Sequence, residues 1–120
     1  MTNGGFQVRL SKGFVVRGSI IRVFELTKSY VVGMKYVVEK SNVPNLLVLK
    51  RGGRVLGSLH SFEVEDVKTM LTISFAEKGD EVHVTCDYDA AGDVNMFESS
   101  DKSTLENEVA KLHYFLLTSK

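Results

Sequence analysis

Leu71-Thr72-Ile73-Ser74-Phe75-Ala76-Glu77-Lys78-Gly79-Asp80-Glu81-Val82-His83-Val84-Thr85-Cys86-Asp87-Tyr88-Asp89 decides how this chain folds. Leu71, Ile73 and Phe75 alternate with Thr72 and Ser74. Val82, Val84, Cys86 and Tyr88 alternate with His83, Thr85, Asp87 and Asp89. Side chains of a strand point to opposite faces in turn, so each run has one apolar and one polar face. Glu77-Lys78-Gly79-Asp80 between them reads as a turn. The stretch predicts a β-hairpin in an antiparallel sheet with one side buried and the other wet.

A helix is the natural cover for the buried side. Ser103-Thr104-Leu105-Glu106 has the spacing of a capping box, in which a hydroxyl and a carboxylate satisfy the first free backbone amides. Leu105, Val109, Leu112 and Leu116 follow at helical spacing with Phe115 beside them, while Glu106, Glu108 and Lys111 are expected to face outward. Residues 90–102, between hairpin and helix, read as a polar loop.

Towards the N-terminus, Phe6, Val8 and Leu10 alternate with polar neighbours, so residues 5–11 read as a strand ended by Lys12-Gly13. Residues 19–32 are dense in β-branched side chains, yet Ile20, Val23, Phe24, Thr27 and Val31 follow a helical period. Ser19 suits the N-cap of that helix and Gly33 its stop. Residues 34–41 alternate as a strand through Met34, Tyr36 and Val38. Ser41-Asn42-Val43-Pro44-Asn45 is a turn, and Leu46 to Leu49 an apolar strand, either central or covered on both faces. Arg51-Gly52-Gly53-Arg54 is another turn. Residues 55–64 are ambiguous: Phe62 and Val64 suggest a strand, Leu56 to Leu59 a loop or a helical turn.

This order predicts a single α+β domain over residues 1–120. It has two layers: a mostly antiparallel, twisted sheet of about five or six strands, and a pair of helices, one after the first strand and a long one at the C-terminus. The element order, with its capped last helix from Ser103, resembles the helix-grip proteins of the START and polyketide-cyclase type. The TATA-box-binding-protein-like domain is similar. The resemblance rests on no motif. It implies a curved sheet wrapped round the last helix and, in the helix-grip proteins, space for a ligand between them.

Composition sets the outer bounds. The chain has 120 residues, 43% hydrophobic and 25% charged, as expected of a globular domain. Its longest apolar runs are far short of the roughly 20 residues that a membrane-spanning helix requires, so no membrane partner is expected. No basic segment followed by an apolar one opens the chain, so no secretory signal is expected. Cys86 is the single cysteine, which excludes an intrachain disulfide and fits a cytoplasmic location. The net charge is zero, but residues 1–60 carry ten basic and two acidic residues, and residues 61–120 five and thirteen. The simplest expectation is that the halves pack together and neutralise each other; the other is a molecule with one basic and one acidic face.

The segments able to carry chemistry are few. Asp87 to Glu98 has oxygen side chains at several positions of an EF-hand loop, with Gly92 at the sharp turn, but Ala91 replaces a ligand and the preceding residues alternate as a strand. An acidic solvated loop is the expectation, with no metal site. Lys50-Arg51-Gly52-Gly53-Arg54 offers cations and a permissive backbone to a phosphate, but neither a Walker pattern nor stacking aromatics, so a nucleic-acid partner is not expected. His83 shares a strand face with Asp87, a pair that would orient a general base in a hydrolase or cyclase; no nucleophile or oxyanion donor accompanies it. His60 and His113 have no readable role, and Cys86 reads as a small core residue.

The leading expectation is a non-enzymatic binding module without cofactor, taking a small apolar molecule between sheet and last helix. Leu71, Ile73, Phe75, Val84, Tyr88, Leu112 and Phe115 would line that space, or else form an ordinary core. A homodimeric assembly protein comes second and an enzyme using His83 and Asp87 last.

Overall fold

The computed structural model describes residues 5–51, 68–93 and 99–119. Strand β1 (Gly5–Arg17) leads into helix α1 (Ile20–Val32). Strands β2 (Val37–Asn42), β3 (Leu46–Arg51), β4 (Lys68–Lys78) and β5 (Glu81–Asp93) follow, and helix α2 (Ser99–Thr118) ends the chain. The five strands form one antiparallel sheet in the order β1-β5-β4-β3-β2. Both helices lie over the same apolar face, α1 against β4, β5 and α2, and α2 against β1. This is the expected two-layer α+β architecture.

The hairpin forms because its alternation is unbroken. Leu71, Ile73, Phe75, Val82, Val84, Cys86, Tyr88 and Ala90 are all buried. Glu77 and Lys78 still pair with β5, so the turn narrows to Gly79-Asp80. Gly79 has φ of +66°, which a residue with a side chain adopts at a cost and a two-residue hairpin turn demands. The amide of Gly18, itself at φ +131°, donates to Asp80 O at 3.0 Å and ties the end of β1 to this turn.

α1 buries the five side chains that its period selects: Ile20, Val23, Phe24, Thr27 and Val31. Phe24 meets Phe75 of β4 with ring centroids 5.3 Å apart. Burying a side chain of this kind contributes roughly 1.5–3 kcal/mol, which outweighs the small loss of helix propensity from β-branching. Ser19 caps the helix, its Oγ accepting from the Arg22 amide at 3.5 Å. Gly33 ends it with right-handed angles, and the left-handed residue is Lys35, at φ +76°.

Several boundaries differ from expectation. β1 does not break at Lys12-Gly13 but runs to Arg17. Gly13 pairs with Thr85, and Phe14 and Val16 continue the inward set begun by Leu10. β2 begins at Val37, because Met34 to Tyr36 belong to the turn that closes α1. β3 is central, as one of its two readings had it, with Leu47 and Leu49 buried and Leu46 and Val48 only half-buried. The polar loop at 90–102 shortens at both ends, since β5 runs to Asp93 and α2 starts at Ser99. Ser103 therefore lies inside the helix; nothing in Ser99 to Lys102 is a helix breaker strong enough to delay its start. The ambiguous residues 55–64, with His60, lie outside the described residues.

Charges of the two halves of the chain meet across the fold, two of the pairs below at its surface and one buried. β1 pairs with β5, and the pairs Arg9–Asp89 (3.9 Å), Lys12–Glu106 (3.3 Å) and Arg51–Glu108 (2.9 Å) each join a base of the first half to an acid of the second. Among the described residues no helix is long and apolar enough to cross a membrane.

Candidate functional site

Leu47, Leu49 and Arg51 alternate on β3, so Arg51 takes the inward direction of two leucines. A guanidinium sent into a core must be held by partners. Its Nη2 donates to Glu108 Oε2 at 2.9 Å, and its Nη1 to Met34 O at 3.4 Å. Its Cζ lies 4.2 Å from the centroid of the Tyr36 ring, a cation–π contact out of water. Nε is buried without a partner among the described residues. The turn after α1 builds half of this cage. The amides of Met34 and Tyr36 donate to Val31 O, and that of Lys35 to Val32 O, which folds the chain back so that Met34 O and the Tyr36 ring face Arg51.

α2 supplies the other half. Glu108 was expected to face outward; instead its side chain is 12% exposed. Oε1 accepts from Tyr36 Oη at 3.2 Å and Tyr88 Oη at 3.3 Å, while Oε2 holds Arg51. Glu108 stands at the flank of the stripe that buries Leu105, Val109 and Leu112, and the inward cation turns it. Burial first, and the Glu108 carboxylate after it, raises the pKa of Tyr36. Burial, followed by Tyr36 and Glu108, does the same for Tyr88. Both phenols are hydrogen-bond donors and not acids at neutral pH.

Beside this cage the surface opens in two depressions. One, of about 320 Å3, is lined by Gly33, Met34, Lys35, Arg51, Asn107, Glu108 and Lys111. The other, of about 430 Å3, lies between the helices, lined by Tyr30, Asn107, Ala110, Lys111, Tyr114, Phe115 and Thr118. Tyr30 and Phe115, both in its lining, stack with centroids 4.7 Å apart, and Tyr114 is 70% exposed. Asn107 and Lys111 belong to both, so the two depressions are neighbours along one stripe of α2. A third, of about 530 Å3, lies against β1, β4 and β5, with Arg9, Ser11, Met70, Thr72, Asp87 and Asp89 in its lining.

The residues expected to line a ligand space are brought together in one apolar cluster. Leu71, Ile73, Phe75, Val84, Tyr88 and Leu112 are buried in the core, and Phe115 packs half-buried against it. Phe115 reaches the interhelical groove, and Tyr88 joins the cage through its hydroxyl. His83 and Asp87 do share a strand face, but the partner of His83 Nε2 is Glu81, 3.9 Å away. His113 stacks on Phe14 at 4.4 Å, which gives both a packing role. Cys86 is buried, and its thiol is pushed up to about 12 by burial and then by Asp87.

The segment read against an EF-hand loop is straight where such a loop must coil. Asp87 to Asp93 belong to β5 and pair with β1 and β4; residues 94–98 lie outside the described residues. No cluster of three or more metal-ligating side chains occurs among the described residues. In Lys50-Arg51-Gly52-Gly53-Arg54, Arg51 is internal and Lys50 pairs with Glu39 at 3.5 Å; residues 52–54 lie outside the described residues.

The sequence reading missed the Arg51–Glu108 cage. The signal was there in Leu47-Val48-Leu49-Lys50-Arg51, whose parity sends Arg51 inward. The partner could not be named, because 57 residues separate the two.

No family model matches the chain, and no curated protein matches it in sequence. Among solved structures it is similar to the crystal structure of the Mll3558 protein from Rhizobium loti, at 9% identity and a TM-score of 0.56, over 96% of this chain and 98% of that one. The likeness is one of fold, an α+β arrangement shared along nearly the full length of both chains.

Proposed function

We propose that this chain is a non-enzymatic binding module that takes a small apolar ligand on its helix layer. The observation that carries this reading is the interhelical groove, where the stacked rings of Tyr30 and Phe115 and the exposed Tyr114 present aromatic surface to water. Aromatic walls with a few polar groups at the rim are the common make-up of small-molecule sites. The space between sheet and α2 is a weaker candidate, because Leu71, Ile73, Phe75, Val84 and Leu112 pack there as core. The strand order and the helix across the sheet support a small helix-grip fold, START-like in layout; fold alone assigns no ligand. The single, buried cysteine supports a cytoplasmic location.

A neutral fluorescent probe, N-phenylnaphthylamine, tests the groove. Its emission should rise with wild-type protein, and Ala110→Trp, a substitution at an exposed helix position, should abolish the rise while the melting temperature holds. Undiminished binding by Ala110→Trp, or none by the wild type, overturns the reading.

A second reading is a homodimer through the helix layer. Ile21 and Val32 on α1, and Tyr114 and Leu117 on α2, are large apolar side chains left exposed. A dimer would melt at a temperature that rises with protein concentration and sediment at twice the monomer mass. Leu117→Glu should return it to a monomer.

A further inference from the structure

The geometry points to an anionic head on that ligand: the site is built for a small amphipathic carboxylate, with its apolar body in the interhelical groove and its charge at Lys35 and Lys111. This inference rests on the groove as a ligand site and adds the chemical class of what enters it.

The two depressions along α2 differ in chemistry and share a wall. The apolar one is formed by Tyr30, Ala110, Tyr114 and Phe115. The polar one holds three cations, Lys35, Arg51 and Lys111, against one carboxylate, Glu108. Glu108 is already engaged by Arg51 and two tyrosine hydroxyls. Lys35 and Lys111 are exposed and make no ion pair among the described residues. The depression therefore keeps a positive excess at its mouth.

Backbone and helix phase fix these cations in place. Lys35 sits in the left-handed conformation at the turn after α1, a position that projects it from the corner between α1 and β2. On α2, residues 107, 111, 114 and 118 recur at three- and four-residue intervals, so Lys111 stands on the same stripe as the aromatic wall and at its boundary with the polar depression. A ligand lying along that stripe has its ring on Tyr30 and Phe115 and its carboxylate at the lysines.

Three probes separate the parts: naphthylacetate, the neutral naphthylacetamide of nearly the same shape, and acetate. Each is titrated into labelled protein and followed through backbone-amide NMR shifts. Naphthylacetate should move amides at Lys35, Lys111 and Phe115 and bind roughly 3- to 10-fold tighter than the amide, the range expected of charge-assisted contacts at a partly exposed site. The ratio should shrink as salt is added. In the Lys35→Gln, Lys111→Gln double variant the two naphthyl probes should bind equally. Equal binding of both by the wild type overturns the anionic head and leaves the groove standing. Failure of both naphthyl probes overturns the groove reading itself. Acetate binding as tightly as naphthylacetate would make the aromatic wall irrelevant and overturn the amphipathic class. Binding to mixed phosphatidylcholine–phosphatidylglycerol vesicles without binding to naphthylacetate would overturn the free ligand in favour of a lipid surface.

Discussion

Arg51 Nη2 and Glu108 Oε2 lie 2.9 Å apart with side chains only 2% and 12% exposed, and this pair joins the end of β3 to the middle of α2. Around it Tyr36 and Tyr88 aim their hydroxyls at the same carboxylate. The pair fixes where α2 crosses the sheet, and with it the stripe of α2 that borders the two depressions.

Replacing one partner should cost far more than replacing both. Glu108→Ala leaves a buried guanidinium unpaired and should lower the unfolding free energy by about 3–5 kcal/mol. The double variant Arg51→Met, Glu108→Leu removes both charges and should recover most of that loss. Urea unfolding of the single and double variants gives the comparison. A double variant no more stable than Glu108→Ala would mean that the two residues contribute independently.

Alkaline solution should weaken the fold through buried acids that stay protonated. Burial, with Asp87 behind it, raises the Cys86 thiol from 9.0 to about 12, and burial also raises Tyr36 and Tyr88 above 10.0. Below pH 9 the folded and unfolded chains hold these protons alike, and the stability that the groups contribute is complete. From pH 9 upward the unfolded chain releases them first, so stability falls as the pH rises towards 12 and beyond. Melting temperature should decline across this range, and Cys86→Ala should make the first part of the decline shallower. An identical slope in that variant would remove the thiol from the account. At pH 8 a thiol reagent should react with Cys86 only on unfolding.

Thr27 offers a stabilising substitution. It is fully buried in α1 and its hydroxyl oxygen has no hydrogen-bond partner among the described residues. Thr27→Val keeps the shape, removes the unsatisfied hydroxyl and should stabilise by about 1 kcal/mol. Thermal unfolding of the purified variant measures it, and a lowered melting temperature would show that the hydroxyl has a favourable partner.

Gly79 tests the hairpin. Among the described residues nothing lies within 4 Å of where its Cβ would stand, so the positive φ is what opposes a side chain. Gly79→Ala should cost about 1–2 kcal/mol, and Gly79→Asn less, since asparagine tolerates the left-handed region. Equal costs for the two, measured by chemical denaturation, would point to a turn that changes shape.

The sheet was legible where pattern alone decides it. Leu71, Ile73, Phe75, Val82, Val84, Cys86 and Tyr88 form one apolar set, and a one-residue slip in register would put that set in water. The helical period of Ile20, Val23, Phe24, Thr27 and Val31 was likewise enough to override β-branching. Element ends were less legible. Lys12-Gly13 reads as a break, but β5 continues alongside and gives Gly13 a partner in Thr85. Ser103 reads as a cap, but the helix begins a turn earlier at Ser99.

The sequence by itself determined the α+β class, the antiparallel hairpin, the apolar stripe of both helices and much of the core, because periodicity and burial are local properties read a few positions at a time. Tertiary structure alone decided that Glu108 turns towards Arg51, that Tyr36 and Tyr88 meet on one carboxylate, and that Lys35 and Lys111 border a common depression. These contacts join residues far apart in the chain, and their energy arises only when the sheet and α2 close together and exclude water from the charges between them.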